Sequence, residues 1–424
     1  MRNVYALAMV DAKDALLAQQ YEAYPYPKRD PGDEAKRLIV GSPGHLREID
    51  YWVFGARRPT SEPLRALIAG GGTGDATIML AQQLADAGRP GTVTWLDRSS
   101  AAREVAQARA SARKLGNIVW EQRSLLDLPG SGLGPFDYID CCGVLHHLPD
   151  PAAGLRALLS VLAPGGGMGL MLYAPHGRTG VYMLQDALRL LAPLADPPSV
   201  RLGVAKRVMR HLPQSAWLRF NRNFSDHLTG GDAGLYDLLL NPRDVPFSVP
   251  AIDALLAGAG LRVTCWIEPM RYDPATWLPD PKLRARAGSL DPVSQAAVAE
   301  GLTGNMSTHT VYAVGVSEPW APADPVADDA VPIMRGMSGE EIASRIRPDG
   351  TILFLFDGLP AAIPLPALAP AILKLIDGRR SVGEIRVAMS ERGAERAGFE
   401  RAWASTWTAL NRVNRLLLAP PPEE

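Results

Sequence analysis

Between Leu64 and Leu84 the chain changes its hydrophobic period. Leu64, Ala66, Leu67, Ile68 and Ala69 form a short apolar run, Gly70, Gly71, Gly72 and Gly74 interrupt it, and Ala76 to Leu84 resume with helical spacing. A buried strand, a tight turn and a helix N-terminus read this way in sequence. Apolar runs suited to strands recur at 92–97, 117–122, 136–142, 168–174, 261–267 and 309–316, and helical patterns lie at 152–162 and 249–259. Strands alternating with helices build a largely parallel sheet covered on both faces. The expected fold class is therefore α/β, with a doubly wound and mainly parallel sheet.

The spacing of the glycines narrows the ligand. A dinucleotide turn uses G-x-G-x-x-G, with pyrophosphate on the helix N-terminus. Here Gly70, Gly72 and Gly74 give G-x-G-x-G, and Asp75 stands where the last dinucleotide glycine belongs. A carboxylate there repels a pyrophosphate but tolerates a ligand with a cationic centre and no phosphate. S-adenosylmethionine (SAM) is such a ligand, and an NAD-dependent oxidoreductase is disfavoured. The bland alternative is a glycine turn closing an α/β unit that binds nothing. Thr92 to Asp97 reads as a second strand ending in an acid, where a Rossmann-like fold holds ribose hydroxyls.

With these residues in place, the stretch from about 60 to 175 resembles the class I SAM-dependent methyltransferases. Asn117 to Pro129 is similar to the family's strand and adenine loop, Phe136 to Pro151 to its strand-four motif, and Leu162 to Gly167 to its turn before strand five. The resemblance implies a seven-stranded Rossmann-like methyltransferase sheet with SAM as cofactor. It assigns cofactor contacts to Gly70, Gly71, Gly72, Thr73, Gly74, Asp75, Asp97, Arg98, Ser124, Leu125, Cys142 and Gly143. Two positions depart from the family: Ile68 replaces an acid two residues before the first glycine, and Ser124 replaces a frequent acid of the adenine loop. Asp75 is then a substitute partner for the methionine ammonium.

Composition changes this picture little. The 424 residues are 47% hydrophobic and 21% charged with net charge −1, enough to bury one or two cores. The near-neutral balance gives no long-range pull on nucleic acid or an anionic membrane, so nucleic acid is disfavoured as a partner. No apolar run is long enough to span a bilayer. Cys141, Cys142 and Cys265 lack metal-ligand spacing, so no metal is expected and they read as core thiols. Lys13 and two aspartates within the first 17 residues do not fit a signal peptide, and a cytoplasmic location is expected. A homodimer is left open.

The remaining chemistry lies around the sheet. Residues 1–20 read as an amphipathic helix. Tyr21, Tyr24 and Tyr26 then fall on a proline-interrupted arm that cannot be helical and, with residues 1–60, is expected to act as a lid over the cleft. His45 to Pro59 should form a helix. Two inserts, at about 175–241 and 268–307, interrupt the methyltransferase domain spanning 61–317, and inserts at the carboxyl end of a parallel sheet sit over the ligand crevice. Substrate contacts are expected from Tyr21, Tyr24, Tyr26, Tyr173, Arg178 and Tyr182, with Gln185, His227 and Tyr236 as further pocket candidates. His146, His147 and His176 are the catalytic candidates, because a neutral imidazole can accept a proton from an attacking hydroxyl or amine; cofactor-side shaping is the alternative role for the first two.

Residues 318–332, rich in proline and acid, read as a linker. A C-terminal α+β module should follow over 333–424, with a strand at 350–356 and helices at 369–376, 381–389 and 399–418. Trp403 and Trp407 are expected in its core. Ile372 to Ile385 resembles the winged-helix modules of the PqqD-like type, which bind peptides. The function expected overall is methyl transfer from SAM to a small-molecule or peptide/protein acceptor by in-line displacement. The rival is a non-catalytic SAM-fold binding or regulatory protein using its C-terminal module for protein interaction.

Overall fold

The computed structural model describes residues 15–17 and 21–420, so most of the expected N-terminal helix lies outside the described residues. Seven strands form one sheet: β1 (Leu64–Ala69), β2 (Gly91–Asp97), β3 (Ile118–Gln122), β4 (Phe136–Cys142), β5 (Leu162–Tyr173), β6 (Leu261–Trp266) and β7 (Thr308–Gly315). Their order is β3-β2-β1-β4-β5-β7-β6, and β7 alone runs antiparallel, to both β5 and β6. The order reverses at β1, which places the ligand crevice at the carboxyl ends of β1 and β4.

Alternation along β1 shows why the sheet is buried on both faces. Leu64, Ala66 and Ile68 join one hydrophobic core, and Leu67 and Ala69 join the other. Helices α1 (Asp75–Asp86), α2 (Ser100–Ala112), α3 (Pro151–Leu159) and α7 (Val249–Gly258) cover the sheet. The first insert is helical, with α4 (Val181–Leu191), α5 (Pro198–Arg210) and α6 (Gly231–Leu240) around their own core of Val181, Leu188, Leu202, Leu218, Leu235 and Leu239. The second insert carries α8 (Pro281–Gly288) and α9 (Pro292–Thr303).

The C-terminal module contains β8 (Pro332–Met334), α10 (Gly339–Ser344), the hairpin β9 (Thr351–Phe356) and β10 (Leu359–Pro364), α11 (Ala369–Leu373), α12 (Val382–Ser390), α13 (Arg396–Asn411) and β11 (Leu416–Leu418). Its core is continuous with one face of the sheet: Tyr51 and Trp52 share a cluster with Met334, Phe354 and Trp407. Trp52 donates to Asn414 Oδ1 at 3.0 Å, and the Tyr51 and Trp407 rings meet edge-on at 6.0 Å.

Three expectations are corrected. The helix expected over 399–418 stops at Asn411, because Asn414 takes φ +56 and Leu416–Leu418 pairs with β8 instead. An apolar run this short suits a strand or a helix equally, and the pairing partner decides. The helix expected over 45–59 is one turn, Leu46–Glu48, continued as a π-helix over Ile49–Val53 and ended by positive φ at Gly55 and Ala56. The stretch 318–332 is no free tether: Ala323 N donates to Gly55 O, Arg57 reaches Ala321 O, and Val331 is buried. No helix among the described residues is long and apolar enough to cross a membrane.

Candidate active site

The glycine turn between β1 and α1 is closed by contacts that admit no side chain. An ideal Cβ on Gly70 would come within 2.2 Å of Val144 Cγ2, and one on Gly71 within 2.2 Å of Trp95 Cδ1. Gly70, Gly72 and Gly74 all have positive φ, the region that glycine occupies without strain. The turn is tied to the end of β2: Gly72 N donates to Asp97 Oδ2 at 2.9 Å, and Trp95 Nε1 donates to Gly72 O at 3.0 Å. Asp97 also accepts from Ser99 N at 3.0 Å, and burial holds its carboxyl above the ordinary range. Beside it lies an open cavity of about 580 Å³ lined by Arg98, Gln122, Arg123, Ser124, Leu126 and Asp127. Ser124 caps the short turn Leu125–Asp127, accepting from Leu126 N, while Leu125 is buried beneath. Gly143, with φ +78, and half-buried Cys142 close the β4 side.

Asp75 is engaged elsewhere. Arg29 of the arm binds it through two nitrogens, at 2.6–3.1 Å, and buried Arg109 of α2 binds it at 2.7 Å. The paired guanidinium groups hold its carboxyl below the usual range against the opposing effect of burial. Arg109 continues to buried Glu34 at 2.6 Å, so Asp75 belongs to an ion chain that fastens the arm behind the turn. Beside Ile68, in register on β4, stands the fully buried Asp140. It accepts from Tyr138 at 3.1 Å and faces Gly44, so the sheet has an acid here although the β1 position lacks one.

The arm crosses the turn and touches both halves of the crevice. Thr73 Oγ1 donates to Pro27 O at 2.8 Å, and a Cβ on Gly72 would meet Tyr26 O at 3.3 Å. Glu22 accepts from Ser99 Oγ at 2.9 Å and Ser100 N at 3.1 Å, at the N-terminus of α2. On the other side Tyr21 donates to Asp237 of α6 at 3.2 Å, and Tyr24 stacks on Tyr236 with centroids 5.2 Å apart.

Tyr173, at the carboxyl end of β5, gathers the acceptor side. The His146 ring lies 3.9 Å from its centroid and the Arg178 guanidinium 3.8 Å from it. Arg178 is also ringed by Phe224 and Tyr182, and it pairs with buried Asp244 at 3.1 Å. Gln185 and Tyr182 donate to the same carboxylate. His146 is fully buried, neither ring nitrogen has a partner, and burial pushes its pKa well below the ordinary value. His147 contacts Arg243 O through Nδ1 at 2.6 Å. His176 is exposed and stands apart from this cluster, and His227 lies on the one-turn helix Asp226–Thr229. Tyr236 is held by Arg201 at 2.7 Å.

Sequence reading singled out neither Asp237, Asp244 and Asn241 on this side nor Glu22 on the arm. Single acids and an asparagine within a long helical insert carry no spacing signal, and the one usable hint was the density of tyrosines on the arm.

Residues 67–168 match the family described as "Methyltransferase domain". An uncharacterized protein of Synechococcus is 32% identical over 280 residues, covering 64% of each chain. The tRNA 5-carboxymethoxyuridine methyltransferase of Escherichia coli is 32% identical over 155 residues, 35% of this chain and 56% of that one. Both alignments span less than two thirds of the relative's own length. The solved structure of PKMT2 from Rickettsia typhi aligns over 89% of this chain and 77% of its own, with TM-score 0.61 and 16% identity. Its complex with AdoHcy aligns with TM-score 0.56 and 17% identity, over 89% of this chain and 75% of its own. At that identity the likeness is one of fold.

Proposed function

Because the chain carries a class I SAM-dependent methyltransferase domain, we propose that the whole protein moves a methyl group to an acceptor bound between the carboxyl ends of β4 and β5 and the first insert. When bound, SAM supplies a methyl group on a sulfonium that is already activated toward displacement. The observation that carries the reading is the coupling of the glycine turn to Asp97 through Gly72 N, beside a cavity of about 580 Å³. In this reading the turn and Asp97 hold the ribose side, Arg98, Ser124 and Leu125 border the adenine, and Cys142 with Gly143 flank the sulfur end. The residues present fit the group: Gly70 and Gly71 leave no room for a side chain at the turn, and the arm crosses the turn at Tyr26 and Pro27.

Alignment and exclusion of water can supply most of the acceleration of such a displacement. The arm provides the exclusion, since Tyr21 and Tyr24 close onto α6 while Glu22 closes onto α2. Tyr26, Tyr173, Arg178 and Tyr182 surround the acceptor, and His146 and His147 are its proton-accepting candidates. His176 has no part in this reading because it is exposed.

Calorimetry with S-adenosylhomocysteine (AdoHcy) tests the cofactor half. The wild-type protein should bind it, and Gly72→Val should lose roughly tenfold or more in affinity, because a branched side chain at positive φ strains the turn beneath Tyr26. Unchanged affinity in Gly72→Val, or NAD bound in place of AdoHcy, removes the proposal.

A further inference from the structure

The near-neutral net charge conceals an uneven distribution. From Pro197 to Ser225 the chain carries Arg201, Lys206, Arg207, Arg210, Arg219 and Arg222 and no aspartate or glutamate. Salt confines electrostatic attraction to about 8 Å under physiological conditions, so the local balance decides what this surface attracts. Arg201 is buried and Lys206 pairs with Asp232 at 2.5 Å. Arg207, Arg210 and Arg222 are exposed, with no carboxylate partner among the described residues.

The packing of the first insert turns these cations and an apolar stripe to the same side. Helices α4 and α5 touch each other and both lie on α6. Gln185 of α4 donates to Leu238 O at 2.9 Å, and Arg201 of α5 donates to Tyr236 Oη at 2.7 Å and to Leu240 O at 2.9 Å. The faces opposite those contacts point outward. At helical spacing α4 presents Met183, Ala187 and Leu190 there, and α5 presents Val200, Arg207 and Arg210. Met183 is 59% exposed and Leu190 84%. Asp186, the acid on this face, is held by Arg189 at 2.6 Å. An ideal Cβ on Gly180 would come within 2.3 Å of Leu218 N, so the turn Trp217–Arg219 abuts the start of α4. Trp217 and Phe220 are 58% and 64% exposed with ring centroids 6.4 Å apart, and no other tryptophan or phenylalanine among the described residues is exposed.

Single exposed leucines are ordinary on a protein surface, whereas an aliphatic stripe, a Trp–Phe pair and unpaired arginines on one small unit are not. The combination selects the partner. A nucleic-acid backbone would use the arginines and leave the aliphatic stripe in water. A second copy of the chain docked about a twofold axis would set the arginines against themselves. An anionic lipid surface uses all three: its phosphates face the arginines, the ring pair sits at headgroup level, and Met183 and Leu190 reach the acyl chains. We propose that the first insert docks the protein on an anionic bilayer, with α4 and α5 lying in the plane of the interface. Tyr182, next to Met183, reaches Asp244 at 3.4 Å, so docking sets the acceptor side one helix away from the lipid.

Flotation of the full chain with vesicles tests this without an acceptor or turnover. The protein should float with vesicles of mixed phosphatidylcholine and phosphatidylglycerol at low salt, stay behind with phosphatidylcholine alone, and be released by added sodium chloride. Arg207→Glu combined with Arg210→Glu should lower partitioning onto the anionic vesicles roughly tenfold or more. Trp217→Ala combined with Phe220→Ala should also lower it roughly tenfold or more, with the salt dependence kept. All four side chains are exposed, so both double variants should melt as the parent does. Should one pair disturb folding, the other pair and the salt series decide. The inference is overturned by a wild-type protein that does not float, by equal flotation on neutral vesicles, or by flotation unaltered in either folded double variant. A wild-type dimer in sedimentation velocity that Leu190→Glu dissociates also overturns it, because the face is then a contact between subunits.

Discussion

At the scale of single residues, Asp140 has the clearest consequence. It is fully buried, one carboxylate oxygen has no partner, and desolvation pushes its pKa up to about 7 despite the hydrogen bond from Tyr138. The folded state therefore binds more protons than the unfolded state between the ordinary carboxylate range and about pH 7. Stability attached to this group is fully present below that window, falls as pH rises through it, and is lost above it. A rise from the ordinary carboxylate value to about 7 corresponds to about 4 kcal/mol at most. Asp140→Asn keeps an acceptor for Tyr138 and removes the ionisation. Urea unfolding at pH 8 should show the variant more stable than the parent, with the advantage gone at pH 4; equal stability at both pH values would contradict the burial argument.

At the scale of an element, the arm from Tyr21 to Ala35 is fastened unequally. Its tail is held by the chain Arg29–Asp75–Arg109–Glu34–Arg113, in which Arg109 and Glu34 are buried. Its head is held by Tyr21, Glu22 and Tyr24, all on the rim of the crevice. Loops that gate active sites open at their least-buried contacts, so the head should swing about the anchored tail. Hydrogen exchange should slow in residues 21–27 and 231–241 when AdoHcy is added, with little change in 30–36. Tyr21→Phe should weaken the slowing in 231–241, since the hydroxyl is one of two links to α6, beside the Tyr24–Tyr236 stack. Arg29→Ala removes a partly exposed pair and should cost about 1 kcal/mol or less in stability.

At the scale of the whole molecule, the C-terminal module is built into the body rather than tethered to it. Glu48 is fully buried and receives Tyr312 at 2.9 Å and Asn414 at 2.8 Å, with the Arg335 guanidinium 2.6 Å away. Arg415 lies 3.7 Å from Glu268, and Met270 N donates to Arg412 O. Removing one partner of a buried ion cluster leaves the others uncompensated, at a cost of about 3–5 kcal/mol. Glu48→Ala should lower stability by about that amount and unfold in a single transition. Deleting residues 331–424 would uncover Tyr51, Trp52 and the Glu48 cluster, and the truncated chain should aggregate. A soluble truncation that binds AdoHcy normally would instead restore the view of the module as a separate capture unit.

What the sequence by itself determined is the part governed by neighbours along the chain. The strand, glycine turn and helix at Leu64–Asp86, the acid closing β2 and the alternation of strands and helices up to β5 all depend on periods of two and 3.6 residues and on φ values open to glycine. Those rules act within a few turns of chain, and they were legible. The tertiary structure alone decided the rest, because it joins residues that no local rule relates. Tyr21 meets Asp237 across 216 positions, and Asn414 meets Glu48 across 366. Asp75 has an acid's fitness for a cationic ligand in sequence, yet Arg29 and Arg109 claim its charge once the arm folds back. Leu416–Leu418 continues a helical pattern, yet β8 offers it a partner with unsatisfied backbone groups. In each case long-range pairing outweighs local preference, because a buried charge or backbone group left without a partner costs more than the local propensity can return.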